Sequence, residues 1–266
     1  MTPVAALPMY DLPEARAATD ALWADWRARL VAAGVAAPAA LDRGRRPADI
    51  WRDPCLVVAQ TCGLPYVRAL RGRVRLVATP CYAAEGCEGA AYRSAVIVRA
   101  GDAAGTLADL RGRVAAFNGA DSQSGWNALR ALVAPLARGG RFFGGAVEAG
   151  SHRRALAAVA AGAADLCAVD CVTLALLRAH APLETAPLRV LAWTPAAPAL
   201  PYVSAATGAR LEAIRAATLA ALTAPETADA RAALLIAGAE VLADAAYDAV
   251  AAMDARATAL GYPALA

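Results

Sequence analysis

Three times between residues 114 and 179 an apolar run of strand length enters a short polar turn and then a stretch with helical periodicity, and this alternation constrains the fold more than any other feature. The first unit predicts a strand over Val114–Phe117, a turn through Asn118, Ser122 and Ser124, and a helix with Trp126, Leu129, Leu132, Val133 and Leu136 on its apolar face, ending at Gly139 and Gly140. The second has a strand over Ala146–Ala149, then Gly150, Ser151 and His152 opening a helix that stops at Gly162. The third has a buried strand from Asp165 to Val169 that delivers Asp170 to a helix reaching Ala179. Strands and helices alternating at this length form a parallel sheet with right-handed crossovers, and all such turns then emerge at one sheet edge, where ligands bind. Ser122, Ser124, Ser151, His152 and Asp170 are therefore expected to gather there. A helix N-terminus presents N–H groups and a positive dipole end, so this gathering should hold an oxyanion.

Several segments also match a known family in order and spacing: Tyr92 to Arg99, Thr106 to Gly112, the Ser122-Gln123-Ser124-Gly125 turn, Gly150-Ser151-His152, and the strand from Ala164 to Asp170. In these the chain resembles the phosphate/phosphite/phosphonate substrate-binding proteins of ABC transporters, which have the type 2 periplasmic binding-protein fold. The resemblance covers residues 55 to 205 and extends loosely to both ends. It implies that the Ser122–Gly125 turn and the Ser151–His152 pair grip a phosphonate, that Tyr92 closes over it, and that Asp170 faces a ligand amine. The later crossover strand departs from amine-binding members, carrying Pro198-Ala199-Leu200-Pro201 where they have an acidic contact.

Outside the central block, strands are expected over Val4 to Met9, Leu56 to Ala59 and Val74 to Ala78, again with polar or aromatic residues following. Tyr10 and the Gln60-Thr61 pair are cleft candidates from these strand ends, Gly63 letting the backbone approach a ligand. The C-terminal third predicts helices over Ala209 to Leu222, Pro225 to Ile236 and Ala243 to Leu260. The expected architecture is α/β with two lobes, each a mostly parallel sheet flanked by helices. Residues 1–94 and 203–266 form the first lobe and residues 95–202 the second, and crossover strands Tyr92 to Val98 and Leu200 to Ala205 let the lobes close on a ligand.

Composition restricts the alternatives. The chain has 266 residues, a net charge of +3 and 59% hydrophobic residues, much of that alanine, with no apolar run near the ~18 residues a membrane span needs. Nucleic-acid binding has little support from so small a charge. Every basic side chain is arginine, and the clusters Arg43 to Arg46 and Arg71 to Arg75 are expected on a solvated face. No cofactor is called for, and with two histidines and no Cys-x-x-Cys pair a metal site has weak support. The six cysteines, Cys55, Cys62, Cys81, Cys87, Cys167 and Cys171, leave the pairing open, with Cys62–Cys87 and Cys81–Cys87 as candidates and Cys167 as a buried thiol. Met1 to Met9 lacks a basic residue and does not read as a secretory leader. The resemblance places the protein in the periplasm, and a cytoplasmic form remains compatible with such an N-terminus. It is expected to be a monomer whose partners are a small oxyanion and the membrane permease of an ABC transporter.

Two other functions fit parts of the pattern. A hydrolase or transferase would use Ser124 or Cys171 as nucleophile and His152 or His180 as base. Against it, Ser122-Gln123-Ser124-Gly125 lacks the Gly-x-Ser-x-Gly elbow, and no acid is evident beside His152. The same binding fold could also hold a sulfonate, a carboxylate or a vitamin precursor.

Overall fold

The computed structural model describes residues 2–265. Its main strands are β1 (Val4–Ala6), β2 (Leu56–Gln60), β3 (Arg75–Tyr82), β4 (Ser94–Arg99), β5 (Val114–Phe117), β6 (Gly145–Glu148), β7 (Leu166–Asp170), β8 (Leu188–Trp193), β9 (Tyr202–Ser204) and β10 (Ile236–Glu240). They form two five-stranded sheets, ordered β1-β2-β9-β3-β10 and β8-β4-β7-β5-β6. In the first, β1 pairs parallel with β2, while β9 runs antiparallel between β2 and β3, and β10 is antiparallel to β3. In the second, β7, β5 and β6 are parallel, and β4 runs antiparallel between β7 and β8. One direction thus dominates each sheet; β9 and β10 in the first and β4 in the second run against it, β9 and β4 lying in the expected crossover segments.

The chain divides into two compact units. The first comprises the chain up to Ala83, Glu88–Ala91 and Pro198–Tyr247; the second comprises Ala84–Cys87, Tyr92–Ala197 and the chain from Asp248 on. The boundaries differ from the sequence expectation in four stretches: residues 198–202 belong to the first unit, and residues 84–87, residues 92–94 and the chain from Asp248 on belong to the second. Tyr92 belongs to the second unit. So does the C-terminal helix Asp248–Ala259, which the sequence division placed with the first. The cause is packing that no local pattern encodes: Asn127 Nδ2 donates to the Val250 carbonyl (3.1 Å) and Gln123 Nε2 approaches Met253 Sδ (3.3 Å).

β2 and β7 are buried along their whole length, their apolar runs ending in Gln60 and Asp170. The helix expected to run to Ile236 stops earlier: its α-helical part is Ala228–Ala233, and Leu235 takes a left-handed φ of 57° before β10 begins. With alanine and glycine in Ile236–Glu240, neither alternation nor β-branching marks that strand; its pairing with β3 creates it. The arginine clusters are solvated as expected, with Arg43 bound to Asp11 and Asp20, and Arg45 to Asp42 and Asp53.

Candidate anion-binding site

β5 ends in a glycine-bearing turn, and the helical segment after it opens as a wide turn over Gln123–Ala128 before becoming α-helical at Leu129–Val133. The first ladder bond runs from the Asn127 N–H to the Ser122 carbonyl (3.0 Å), so the N–H groups of residues 123 to 126 lie ahead of the ladder. Ser122 is the N-cap, its Oγ accepting the Gly125 N–H at 3.0 Å. That bond uses one lone pair of the hydroxyl and leaves its proton to donate. Gly125 is required by space: a Cβ there would sit 2.1 Å from Asn118 Oδ1 and 3.0 Å from His152 Cε1.

That close approach joins the first turn to the next two. Ser124 Oγ lies 2.9 Å from His152 Nε2 and 3.4 Å from Ser122 Oγ. Asp170 Oδ2 lies 3.4 Å from the same His152 nitrogen, while Asp170 Oδ1 caps the helix Cys171–His180 by accepting the Thr173 N–H at 2.8 Å. Ser151 caps the helix His152–Ala160, accepting from Arg154 N–H at 3.2 Å. Ser122, Ser124 and Asp170 are buried, and the His152 side chain retains 14% exposure. Burial holds the imidazole pKa below its ordinary value of 6.5, opposed by Asp170 and the Ala168 carbonyl, so the ring is neutral at neutral pH.

Gln123 is committed elsewhere: its Oε1 accepts from Asn127 Nδ2 (2.7 Å) and its amide nitrogen meets Met253. Behind the turn stands a residue that apolar periodicity hides. Arg130 is only 1% exposed; its guanidinium stacks 4.1 Å over the Trp126 ring, pairs with Asp254 and donates to the Pro263 carbonyl at 2.7 Å. Asn118, expected only as part of the turn, has its Oδ1 buried and pressed against Gly125.

The remaining candidates sit in the first unit. Gln60 Nε2 donates to Tyr82 Oη (3.0 Å) and to the Leu200 carbonyl (3.2 Å), and the Thr61 hydroxyl approaches the Cys62 carbonyl at 3.4 Å. Tyr10 meets Tyr82 edge to face, with centroids 5.2 Å apart. Tyr10, Gln60 and Tyr82 line a cavity of about 20 Å³, room for roughly one water. Tyr92, in the second unit, is 2% exposed.

The serine–histidine contact bears on the nucleophile reading, and its geometry departs from a hydrolytic triad. An acid is present after all, but Asp170 faces the same ring nitrogen as Ser124, whereas a hydrolytic triad orients the ring through the opposite one. Cys171 is no better placed, its thiol pushed far up by its hydrogen bond with Cys87 and by burial.

Two sheets with mixed strand order are built from interleaved chain segments, with polar turns at the ends of parallel strands. Residues 57–247, more than half the chain, match the family model described as ABC transporter, phosphonate, periplasmic substrate-binding protein, and the chain belongs to that family. It is accordingly the solute-binding component of an importer. Solved structures share the fold. A binding protein component of an ABC phosphonate transporter from Pseudomonas aeruginosa is 16% identical, with a TM-score of 0.76 over 98% of this chain and 88% of that one. PhnD1 from Prochlorococcus marinus, solved with methylphosphonate, is 14% identical, with a TM-score of 0.76 over 97% and 98%. XAC2383 from Xanthomonas citri, solved with ATP, is 17% identical, with a TM-score of 0.70 over 98% of each chain. No curated protein matches the sequence.

Proposed function

We propose that this protein captures a phosphonate, phosphite or phosphate through Ser122, Ser124, Ser151, His152 and the N–H groups of Gln123, Ser124 and Trp126, and releases it unchanged. The observation carrying this reading is the meeting of Ser124 with His152 at 2.9 Å, two residues from different strand-to-helix turns beside a helix start. Hydroxyl and backbone donors gathered at a helix start suit an anion that needs several short hydrogen bonds, and an anion there gains the dipole as well. Arg153 of the neighbouring turn is held by Glu184 at 2.7 Å, so neutral donors carry the binding in this reading. Asp170 favours an anion that brings a proton or an amine toward it, as methylphosphonate monoanion or an aminoalkyl phosphonate would. Gln123 contributes its backbone in this proposal, and Gly125 the space for the turn to close on His152. Tyr92 enters the proposal as a cover for the anion, on the resemblance alone.

Calorimetric titration of the protein with methylphosphonate, phosphite and phosphate tests this reading. Saturable 1:1 binding of at least one of them is expected. Heats of dilution alone for all three at millimolar concentration would end it in favour of the sulfonate, carboxylate or vitamin-precursor alternatives.

A further inference from the structure

The binding reading leaves one pair of reactive groups unused. Cys87 Sγ and Cys171 Sγ lie 3.2 Å apart, although 84 residues separate them in sequence. Cys171 is the first residue of the helix Cys171–His180 and directly follows Asp170; Cys87 lies at the end of Ala84–Cys87, a four-residue excursion of the chain into the second unit.

A second observation shows the approach is built into the backbone. The excursion turns tightly, the Cys87 N–H donating to the Ala84 carbonyl at 3.0 Å, and Gly86 adopts a φ of +93°. A Cβ on Gly86 would lie 3.0 Å from Cys171 Cβ and 2.9 Å from the Trp193 ring. Only glycine lets the segment lie this close to Cys171, and that closeness sets Cys87 against its partner. Cys81 Sγ, another candidate, approaches Glu240 Oε1 at 3.5 Å.

We propose that Cys87 and Cys171 form a disulfide that fastens the Ala84–Cys87 excursion to the start of the helix carrying Asp170. Their separation needs to close by only about 1 Å to reach bonding distance, within the reach of side-chain rotation. The oxidant is a disulfide-bearing thiol exchanger of low molecular weight or protein origin. The Cys87 thiolate attacks one sulfur of that disulfide and expels a thiolate. Cys171, deprotonated as the second step proceeds, attacks Cys87 Sγ and expels the other thiolate. Overall two thiols are oxidised, two protons leave, and the exchanger's disulfide is reduced to two thiols. The order of attack follows from the surroundings. Cys87 is half-buried and its pKa is lowered by the hydrogen bond from Cys171, whereas Cys171 is 1% exposed. Cys167 stays out of the exchange, enclosed in β7 with its thiol pushed up by burial alone. Disulfides persist in the oxidising compartment named in the family's description.

The test is peptide mapping after incubation with oxidised glutathione, blocking of free thiols and tryptic digestion. The expected product links the peptide Leu76–Arg93 to Ala155–Arg178, with fragmentation placing the bond between Cys87 and Cys171 and the intact mass lower by two hydrogens. Cys87 and Cys171 both recovered blocked, Cys87 stalled as a glutathione adduct, or a bond to Cys81 would each overturn the proposal. Thermal melting supplies a second readout. Closing so long a loop predicts that reduction lowers the wild-type Tm by about 5–10 °C and leaves Cys87→Ser unmoved. Equal Tm values for oxidised and reduced wild type would also count against it. Cys171→Ala serves as the check should Cys87→Ser fold poorly.

Discussion

Both units place polar side chains at the ends of buried strands, and they do opposite things with them. In the first unit the Gln60 amide is divided between Tyr82 and the Leu200 carbonyl, and the Thr61 hydroxyl leans on its neighbour's carbonyl. In the second, the Ser122, Ser124 and His152 side chains meet one another across separate turns. Gln60 spends its donors on holding a strand end together. The serines pool theirs at a helix start, where a dipole adds to what they can offer an anion. Strand-end polarity therefore marks a candidate site only when the donors converge.

The largest expected effect belongs to the converged group. Replacing Ser122 and Ser124 together by alanine should weaken methylphosphonate binding by about 2–4 kcal/mol, roughly 30- to 700-fold, read by calorimetry. Undiminished affinity would put the anion elsewhere.

Gly125→Ala should come next. The new methyl cannot share space with Asn118 Oδ1, so the turn must move off His152, costing about 1–3 kcal/mol of affinity. If affinity holds while the fold is intact, the Ser124–His152 contact is not part of the grip.

The contrast between units is sharpest at Gln60→Leu. Leaving Tyr82 Oη and the Leu200 carbonyl without their donor should lower unfolding stability by about 1–3 kcal/mol in denaturant, with anion affinity within twofold of wild type. A tenfold loss of affinity at unchanged stability would make Gln60 a ligand contact and erase the distinction.

The smallest effect is a pH slope. His152 is neutral without ligand because burial lowers its pKa from 6.5; an adjacent anion favours the imidazolium and raises it, so binding takes up a proton. Affinity should rise as pH falls through the interval between the lowered free value and the raised bound one, and His152→Gln should remove that part of the slope. Identical pH profiles would exclude His152 from the site. The unliganded protein should show the opposite trend in stability: below about pH 6.5 the unfolded chain protonates His152 while the folded one resists, so stability falls with pH.

How far the sequence could be read follows the same divide. β5 and the strands leading to Ser151 and Asp170 are apolar runs ended by turn residues, and these local signals placed the three turns correctly. The helix start at Ser122 was legible because capping is local chemistry. What stayed hidden depends on partners distant in sequence. β8 and β10 lack clear strand patterns and exist through pairing with β4 and β3. Arg130 reads as a solvent-facing arginine until Asp254 and Pro263 are brought to it. The acid beside His152 was visible as a residue, but its geometry was not, since both Ser124 and Asp170 had to be placed against one ring nitrogen.

The C-terminal helix gives the anion turn an unusual place in the order of synthesis. Gln123, Asn127 and Arg130 take Met253, Val250 and Asp254 as partners, yet the whole segment Pro198–Tyr247, which belongs to the first unit, is translated in between. A chain emerging from the ribosome N-terminus first can assemble the strands of the second sheet early. The proposed binding turn acquires its backing only once Val250 to Asp254 have emerged, so a chain cut short before them would carry every proposed ligand contact and still present them on an unsupported turn.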